Sequence, residues 1–320
     1  MLTILPPSSH SSPSSPSHLK YRYKKEIKNM KVAFLGTGLM GQPMAQRLLE
    51  QGVELIAYNR TPEKLEPLKA AGAEIVEHPH QAISAAEYVV LMLTNTAAIY
   101  TVLLSDMSSR SVKGKQVIQM GTITPTESRE IRDAVVSAGG DYIEAPVLGS
   151  RPEAKDGKLI VMVGAQKDQY RRSLELLKHF GTEPILVGSV GSAAALKLAL
   201  NQLIASLTSA FGLSLGFIQS QGIKPDIFMQ ILRESAVYAP TFDKKLQRMV
   251  DGNYANPNFP VKHLVKDTDY FIEEAKEAGL NVSSIQGVRE ILEMTMKMAM
   301  KNEDYSSLFE AIKAGEHGES

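Results

Sequence analysis

The chain has 320 residues, more than one domain usually holds, so its length predicts two domains, each with its own core. Its 35 Lys and Arg residues balance 35 Asp and Glu residues. This balance gives no basic field to hold nucleic acid or an anionic membrane and leaves small molecules as the expected partners. The absence of Cys excludes disulfides, thiolate zinc ligands and thiol nucleophiles.

Residues 1–29 differ in composition from the rest of the chain. Ser and Pro dominate residues 1–18 and residues 20–28 are basic, so this segment lacks the apolar surface that folding requires. We expect a disordered tail, or a start site assigned upstream of the true one at Met30. A Ser-rich, acid-poor segment also fits an organelle transit peptide, and this alternative stays open. The apolar run of a secretory signal is missing from these residues, so a cytoplasmic location is expected.

Residues 30–188 alternate short β-rich runs with helical stretches. Near-continuous apolar strands separated by helices are typical of a mainly parallel sheet that is covered on both faces. We therefore predict an α/β fold that begins with a Rossmann-type doubly wound sheet. The predicted strands are residues 31–35, 53–58, 88–93, 116–120, 142–147, 159–164 and 184–188.

Residues 189–320 are predicted to form an all-helical domain. Apolar residues recur with the helical period over residues 191–221, 225–236, 261–279 and 284–301, with no convincing strand between them. Residues 198–217 are apolar enough to suggest a membrane span. Asn201, Gln202 and four Ser and Thr residues interrupt that run, which favours a buried helix of a soluble protein.

The first predicted strand leads directly into the sequence Gly36-Thr37-Gly38-Leu39-Met40-Gly41, and a predicted helix follows. In such a motif Gly36 makes the tight turn, Gly38 lets the backbone approach a pyrophosphate, and Gly41 permits close helix packing. The N-terminus of the helix then faces the anion. The motif alone fits any tight turn, but its place between a strand and a helix predicts a dinucleotide site.

The second predicted strand ends in Asn59-Arg60-Thr61, where an NAD enzyme usually carries an acidic residue that binds the ribose 2′-hydroxyl. Arg60 can pair with a 2′-phosphate instead, while Asn59 and Thr61 add neutral donors, so the sequence favours NADP(H) over NAD(H). NAD(H) stays possible, because an Arg at a strand end is often only a solvated surface residue.

Lys197 is the only charged residue between Glu183 and Lys224. An ammonium on a helix that is apolar nearly all round is costly to bury, and desolvation lowers the pKa of Lys toward the range of proton exchange near neutral pH. Asn201 lies one turn later on the same helix face, where it can orient the ammonium or a substrate oxygen. A Lys that reaches from the helix into water is an equally good interpretation from composition alone.

Six ordered motifs resemble the β-hydroxyacid dehydrogenase family, which includes 3-hydroxyisobutyrate dehydrogenase, tartronate semialdehyde reductase and the glyoxylate/succinic semialdehyde reductases. The resemblance spans residues 31 to about 315, and residues 145–159 look most like the glyoxylate/succinic semialdehyde reductase branch. The motifs are residues 36–49, 59–61, 121–125, 145–150 and 191–201, and Phe259 with Lys266-Asp267.

The resemblance implies an NADP(H)-dependent oxidoreductase that interconverts a small aldehyde or keto acid and its hydroxy acid. It implies that the helical domain binds substrate and forms a homodimer or homotetramer. Carried over by position, Lys197 and Asn201 are the catalytic pair. The implied substrate residues are Thr122, Leu148, Gly149, Ser150, Phe259 and Asp267. The implied cofactor residues are Gly36, Gly38, Leu39, Met40, Gly41, Asn59, Arg60, Thr61, Met92, Leu93, Thr122 and Lys266.

Three positions depart from the family pattern: Gln119 replaces an Asp, Gly121 replaces a Ser, and Leu148 replaces the Ser that helps to hold the substrate carboxylate. A lost hydroxyl donor to a charged oxygen removes about 1.5–3 kcal/mol. We therefore hypothesise a substrate that is larger or less anionic than glyoxylate. Arg151 is a candidate substitute anion ligand, although it fits a solvated loop residue equally well.

Two rival functions remain on the same sequence. Imine reductases resemble this family and also use NADPH, but they usually carry a different residue in place of Lys197. A catalytically retired NADP-binding scaffold would explain the three lost polar side chains. A zinc hydrolase is excluded, and no metal site is predicted, because the His residues lack the spacing of a zinc motif.

Overall fold

The structure is a computed structural model and describes residues 30–315. The predicted disordered tail at residues 1–29 lies outside the described residues, as do residues 316–320.

The first half of the chain forms one twisted sheet in the order β3-β2-β1-β4-β5-β6-β8-β7, with β9 paired to β8. The strands from β3 to β6 are all parallel, and this order is that of a Rossmann fold. The strands are β1 Lys31–Leu35, β2 Glu54–Tyr58, β3 Glu74–Ile75, β4 Tyr88–Leu91, β5 Gln116–Gln119, β6 Asp141–Glu144, β7 Val147–Leu148, β8 Ile160–Gly164 and β9 Ile185–Gly188.

Helices cover both faces of the sheet, which explains why its central strands are apolar throughout. In β1, Val32 and Phe34 pack into the core on one face, while Ala33 and Leu35 pack into the core on the other. The helices of this half are α1 Gly41–Glu50, α2 Glu66–Ala70 after a 3₁₀ turn, α3 Pro79–Ala85, α4 Thr96–Leu103, α5 Asp106–Ser111, α6 Pro125–Ser137, α7 Arg151–Asp156 and α8 Lys167–Leu177.

The sheet departs from the predicted strands at residues 142–147. These residues form two strands, β6 and β7, because the chain leaves β6 at Ala145-Pro146. Strand β8 then pairs antiparallel with both β6 and β7, so the sheet is mainly but not wholly parallel. Strand β3 was not predicted, since two residues are too few to show an apolar pattern.

Residues 189–315 are helical apart from a single isolated bridge between Pro260 and Asp304. An α/β half followed by a helical half is therefore confirmed. The helices are α9 Ser192–Ser220, α10 Pro225–Arg233, α11 Pro240–Asp251, α12 Val261–Glu277, α13 Ser283–Lys297 and α14 Leu308–Ala314, with a 3₁₀ turn at Tyr305–Ser307. Helix α11 was not predicted; Pro240 starts it, and Phe242 and Met249 bury its apolar side.

Helix α9 is the central helix of this half. Its 29 residues span about 43 Å, and it packs against each of the helices α10 to α14. By length and composition alone, α9 could cross a membrane. In the structure, 33% of its most apolar stretch is buried inside the protein. Its large exposed apolar residues are Leu196, Leu203, Leu207, Leu213 and Phe217.

Candidate active site

The loop from β1 to α1 has the geometry that a bound pyrophosphate needs. Gly36 adopts φ +102°, a left-handed conformation that favours glycine. A Cβ at Gly41 would overlap the carbonyl oxygen of Gly36, so the helix starts in direct contact with the turn. A Cβ at Gly38 would meet no atom within 4 Å, so the backbone there faces open space. The residues present therefore fit a dinucleotide.

Asn59 supports this loop from the end of β2. Its Oδ1 accepts a hydrogen bond from the backbone N–H of Thr37 at 3.1 Å, and its Nδ2 donates to the carbonyl of Thr61 at 2.9 Å. These two bonds use Oδ1 and one of the two Nδ2 hydrogens, so one N–H of Asn59 is left for a phosphate. Arg60 between them is exposed. Thr37, which the sequence interpretation did not assign, carries a buried hydroxyl with no partner among residues 30–315.

Lys197 lies on α9 and is partly exposed. Desolvation lowers the pKa of its ammonium from the usual value to about 8, against the opposing pull of the Asp267 carboxylate, and the Lys266 charge lowers it further. An amine with this pKa can give up and take back a proton near neutral pH.

A polar chain connects α9 to the nucleotide-binding half. Asn201 donates from Nδ2 to Asp267 Oδ2 at 2.6 Å, and Asp267 Oδ1 lies 2.9 Å from Lys266 Nζ. Lys266 Nζ in turn donates to the carbonyl oxygen of Thr122, after β5, at 2.7 Å. The structure thus brings Thr122, Asn201, Lys266 and Asp267 together at the junction of the two halves, beside Lys197.

Gln119 and Gly121 form one interlocked unit. The Gln119 amide accepts from the Gly121 N–H and donates to the Gly121 carbonyl, both at 2.9 Å, and the pair is buried. A Cβ at position 121 would lie 2.6 Å from the Leu93 carbonyl oxygen. The departures from the family pattern at these two positions therefore compensate each other, and they hold the backbone that leads to Thr122.

We expect Gln119→Ala to lower the free energy of unfolding by about 2–4 kcal/mol, because it leaves a buried N–H and a buried C=O unpaired. The matched control is Gln116→Ala on the same strand, whose amide makes a single hydrogen bond, to the Gln169 carbonyl at 3.2 Å. Urea unfolding of both variants checks this prediction. Equal losses of unfolding free energy in the two variants would contradict the claim that the Gln119 amide stabilises both backbone groups of Gly121.

Ser150, in the loop after β7, does not offer a free donor to an anion. Both the N–H and the hydroxyl of Ser150 donate to Glu153 Oε2, at 2.9 and 2.5 Å, in a capping box at the start of α7. Gly149 adopts φ +136°, and Arg151 is exposed. With Leu148 in place of a hydroxyl residue and Ser150 committed to Glu153, Arg151 is the exposed cationic donor of this loop.

Phe259 lies just before α12, between two other rings. His263 stacks parallel to it at a centroid distance of 6.5 Å, and Tyr305 meets it edge-on at 5.8 Å. Burial lowers the pKa of His263, and the charge of Lys262 adds to that effect. The sequence interpretation assigned no role to His263. Its position one turn before Asp267 was the signal that places it near the site.

Glu144 is a further residue that the sequence interpretation missed. It ends β6 with 1% of its surface exposed, and its Oε1 accepts hydrogen bonds from the N–H groups of Gly191, Ala193 and Ala194 at 2.8, 2.8 and 3.2 Å. Those groups begin the helix that carries Lys197. An acidic residue inside an apolar strand was the available signal.

The comparisons with known proteins agree with these features. Residues 31–190 match the family model for the NAD binding domain of 6-phosphogluconate dehydrogenase. Residues 191–312 match the model for NAD-binding of NADP-dependent 3-hydroxyisobutyrate dehydrogenase. Glyoxylate/succinic semialdehyde reductase 1 of Arabidopsis thaliana is 30% identical over 286 residues, which cover 89% of this chain and 99% of that protein.

Solved structures show the same fold. A 3-hydroxyisobutyrate dehydrogenase from Salmonella typhimurium superposes with a TM-score of 0.80 at 21% identity and covers 88% of this chain and 99% of its own. An imine reductase from Streptomyces aurantiacus gives a TM-score of 0.61 at 23% identity and covers 89% and 100%. The chain belongs to the β-hydroxyacid dehydrogenase family of NAD(P)-dependent oxidoreductases.

Proposed function

We propose that this enzyme is an NADP(H)-dependent reductase of small aldehydes or keto acids, with Lys197 as its proton donor. The observation that carries this proposal is the Lys197 ammonium, whose pKa desolvation lowers to about 8 and which lies beside the Asn201–Asp267 pair. A structural lysine in the same helix would be expected to hold its ammonium in water or in an ion pair.

In this proposal a bound nicotinamide would supply the hydride chemistry at the substrate carbon. Lys197 as ammonium hydrogen-bonds the carbonyl oxygen and donates its proton to that oxygen, which leaves a hydroxyl group and a neutral amine. In the oxidation direction the neutral amine takes the proton from the hydroxyl. Asn201, which Asp267 holds in place, offers a second polar contact; its Oδ1 is buried and has no partner among residues 30–315.

Gly36, Gly38, Leu39, Met40 and Gly41 would hold the pyrophosphate. Arg60, exposed at the end of β2, would pair with a 2′-phosphate and so favour NADP(H). The carboxyl ends of β4 and β5 are where a Rossmann enzyme binds its dinucleotide. Met92 and Leu93 follow β4, Thr122 follows β5, and Lys266 donates a hydrogen bond to the Thr122 carbonyl.

We propose further that the substrate is larger or less anionic than glyoxylate. Leu148 carries no hydroxyl, and the N–H and hydroxyl of Ser150 are both committed to Glu153, whose own negative charge would repel a substrate carboxylate. Arg151 is exposed and remains a candidate counterion for a longer acid.

A spectrophotometric screen at 340 nm tests the activity and the substrate class together. NADPH and, separately, NADH are followed with glyoxylate, succinic semialdehyde, tartronate semialdehyde and larger or uncharged aldehydes. Oxidation of NADPH by any of them supports the reductase. A strong preference for a semialdehyde acid over its uncharged analogue would overturn the substrate hypothesis while leaving the reductase intact.

Two rivals on the same fold have different outcomes in this screen. An imine reductase would be silent with aldehydes and active with a cyclic imine. A retired scaffold would bind NADPH and turn over nothing. The Lys197 ammonium beside the Asn201–Asp267 hydrogen bond argues against a scaffold, because a retired site has no need to keep these three side chains together.

We also propose that the exposed apolar side of α9 and α10 is covered by a second copy of the chain. Leu203, Leu213 and Phe217 on α9 and Ile227 and Ile231 on α10 are each at least half exposed, and monomeric proteins rarely leave so large an apolar surface uncovered. Light scattering on the purified chain should give twice or four times 35 kDa. Leu213→Glu with Phe217→Glu should give a monomer, and a monomeric wild-type chain would contradict this proposal.

A further inference from the structure

We infer that Glu144 is a positioning residue, which fixes the helix of Lys197 against the nucleotide-binding sheet. This inference rests on the proposed role of Lys197. It concerns how that side chain is held, and no feature of the dinucleotide motif or of the polar chain through Asp267 requires it.

The first turn of α9 lacks a cap of its own. Its N-cap position is Gly191, which adopts φ +103° and has no side chain, and no acidic residue lies in the first turn. Four N–H groups at the start of any helix need acceptors from outside the helix. Here Glu144 Oε1 supplies the acceptor for three backbone N–H groups, at Gly191, Ala193 and Ala194. A residue of the sheet therefore does what a local cap does in most helices.

The carboxylate of Glu144 is itself held in place. The Ser128 hydroxyl on α6 donates to Oε2, and the Tyr142 hydroxyl lies 3.0 Å from Ser128 Oγ. On the next strand a Cβ at Gly164 would overlap Oε1, so the glycine there leaves the room that the carboxylate occupies. With contacts on three sides, the Glu144 side chain has little freedom to move, and neither has the helix end bound to it.

The contact between Glu144 and the start of α9 affects Lys197 because the first turn and Lys197 lie on one helix. Lys197 follows Ala194 by three residues on the continuous helix α9, so a tilt or shift of the first turn displaces the ammonium. A displacement of about 1 Å between reacting groups can cost about 100-fold in rate. The other end of the site is fixed separately, since Lys266 donates to the Thr122 carbonyl. Glu144 therefore sets the position of Lys197 without touching the cofactor loop.

The test compares Glu144→Ala, which removes the acceptor, with Glu144→Gln, which keeps one oxygen for the N–H groups and can donate to Ser128. We expect Glu144→Ala to lower kcat about 10- to 100-fold with the Kd for NADPH within about twofold, and Glu144→Gln to restore most of kcat. Ser128→Ala, which removes only the hydroxyl that orients the carboxylate, should lower kcat by less than Glu144→Ala. It serves as the measured variant if Glu144→Ala does not fold.

The matched control is Leu176→Ala, which truncates a fully buried side chain on α8 and leaves Glu144 and Ser128 in place. It should lose stability and keep its kcat per folded molecule. If the Glu144 and Ser128 variants lose only stability and keep kcat, as this control should, the inference is overturned. It is equally overturned if Glu144→Gln loses as much kcat as Glu144→Ala. If instead Lys197→Ala retains activity, the assignment of Lys197 as the proton donor has failed. That result is distinguishable from the two outcomes that overturn the role of Glu144.

Discussion

Replacing Lys197 by alanine is expected to lower kcat for carbonyl reduction by about 10²- to 10⁴-fold, the range that a positioned general acid contributes. The Kd for NADPH should change little, because Lys197 lies on α9 and the dinucleotide motif lies on the loop from β1 to α1. Stopped-flow or steady-state assays at 340 nm give kcat, and quenching of NADPH fluorescence gives Kd. The control is Lys224→Ala, which removes an exposed lysine from the start of α10.

The pH dependence gives the same assignment an independent check. Because desolvation lowers the pKa of Lys197 to about 8, the ammonium that donates the proton predominates at pH 7 and is lost as the pH rises through 8. Reduction should therefore slow above about pH 8, and oxidation, which needs the neutral amine, should speed up over the same interval. A flat profile for both directions between pH 7 and 9, or near-normal turnover by Lys197→Ala, would contradict the proposal.

The overall fold followed from the sequence because its signals are local. The apolar runs that became β1, β2, β4, β5 and β8 are buried on both faces, and such strands leave an uninterrupted pattern. The glycines of the dinucleotide motif were predicted for the same reason, since Gly36 and Gly41 meet their steric limits at an adjoining strand end and within the turn, while Gly38 faces open space. The structure confirms that arrangement in the overlap between Gly41 and Gly36.

The parts that were missed depend on partners far away in the chain. Glu144, which was not assigned, lies 47 to 50 residues from the N–H groups that it caps. Lys266 and Thr122 were both assigned to the site, but the hydrogen bond that joins them spans 144 residues and was not predicted. A single sequence shows that a charged residue interrupts an apolar strand, but not what it contacts. The short strands and the split at Ala145-Pro146 were missed for a different reason, because a two-residue strand has no period to recognise.

Gln119 and Gly121 show how a sequence departure changes meaning in three dimensions. Taken singly, Gln119 has lost the carboxylate of the family pattern and Gly121 has lost its hydroxyl. Together they satisfy each other, since the longer amide of Gln119 reaches both backbone groups of a residue that has no Cβ to obstruct it. The departure at Leu148 has no such compensation among the contacts of its loop, so it remains the one that bears on substrate choice.

Arg60→Ala is expected to weaken NADPH binding by about 10- to 100-fold, because a charged hydrogen bond to a phosphate contributes about 1.5–3 kcal/mol. Binding of NADH should change by less than about twofold, since NADH carries no 2′-phosphate for the guanidinium to contact. Fluorescence titration with each cofactor measures both constants. Arg110→Ala on α5, also an exposed arginine, controls for the general loss of positive charge.

The ratio of the two constants is the informative quantity. NADPH and NADH share the pyrophosphate, the nicotinamide and every contact with the glycine loop, so a distorted β2 end would weaken both cofactors alike. Only a direct contact with the 2′-phosphate changes their ratio, and raising the salt concentration should reduce the wild-type preference while leaving Arg60→Ala nearly unaffected. Equal losses for the two cofactors would mean that Arg60 supports the loop as Asn59 does. No loss for either would mean that Arg60 is a solvated side chain and that the protein has no built preference for NADP(H).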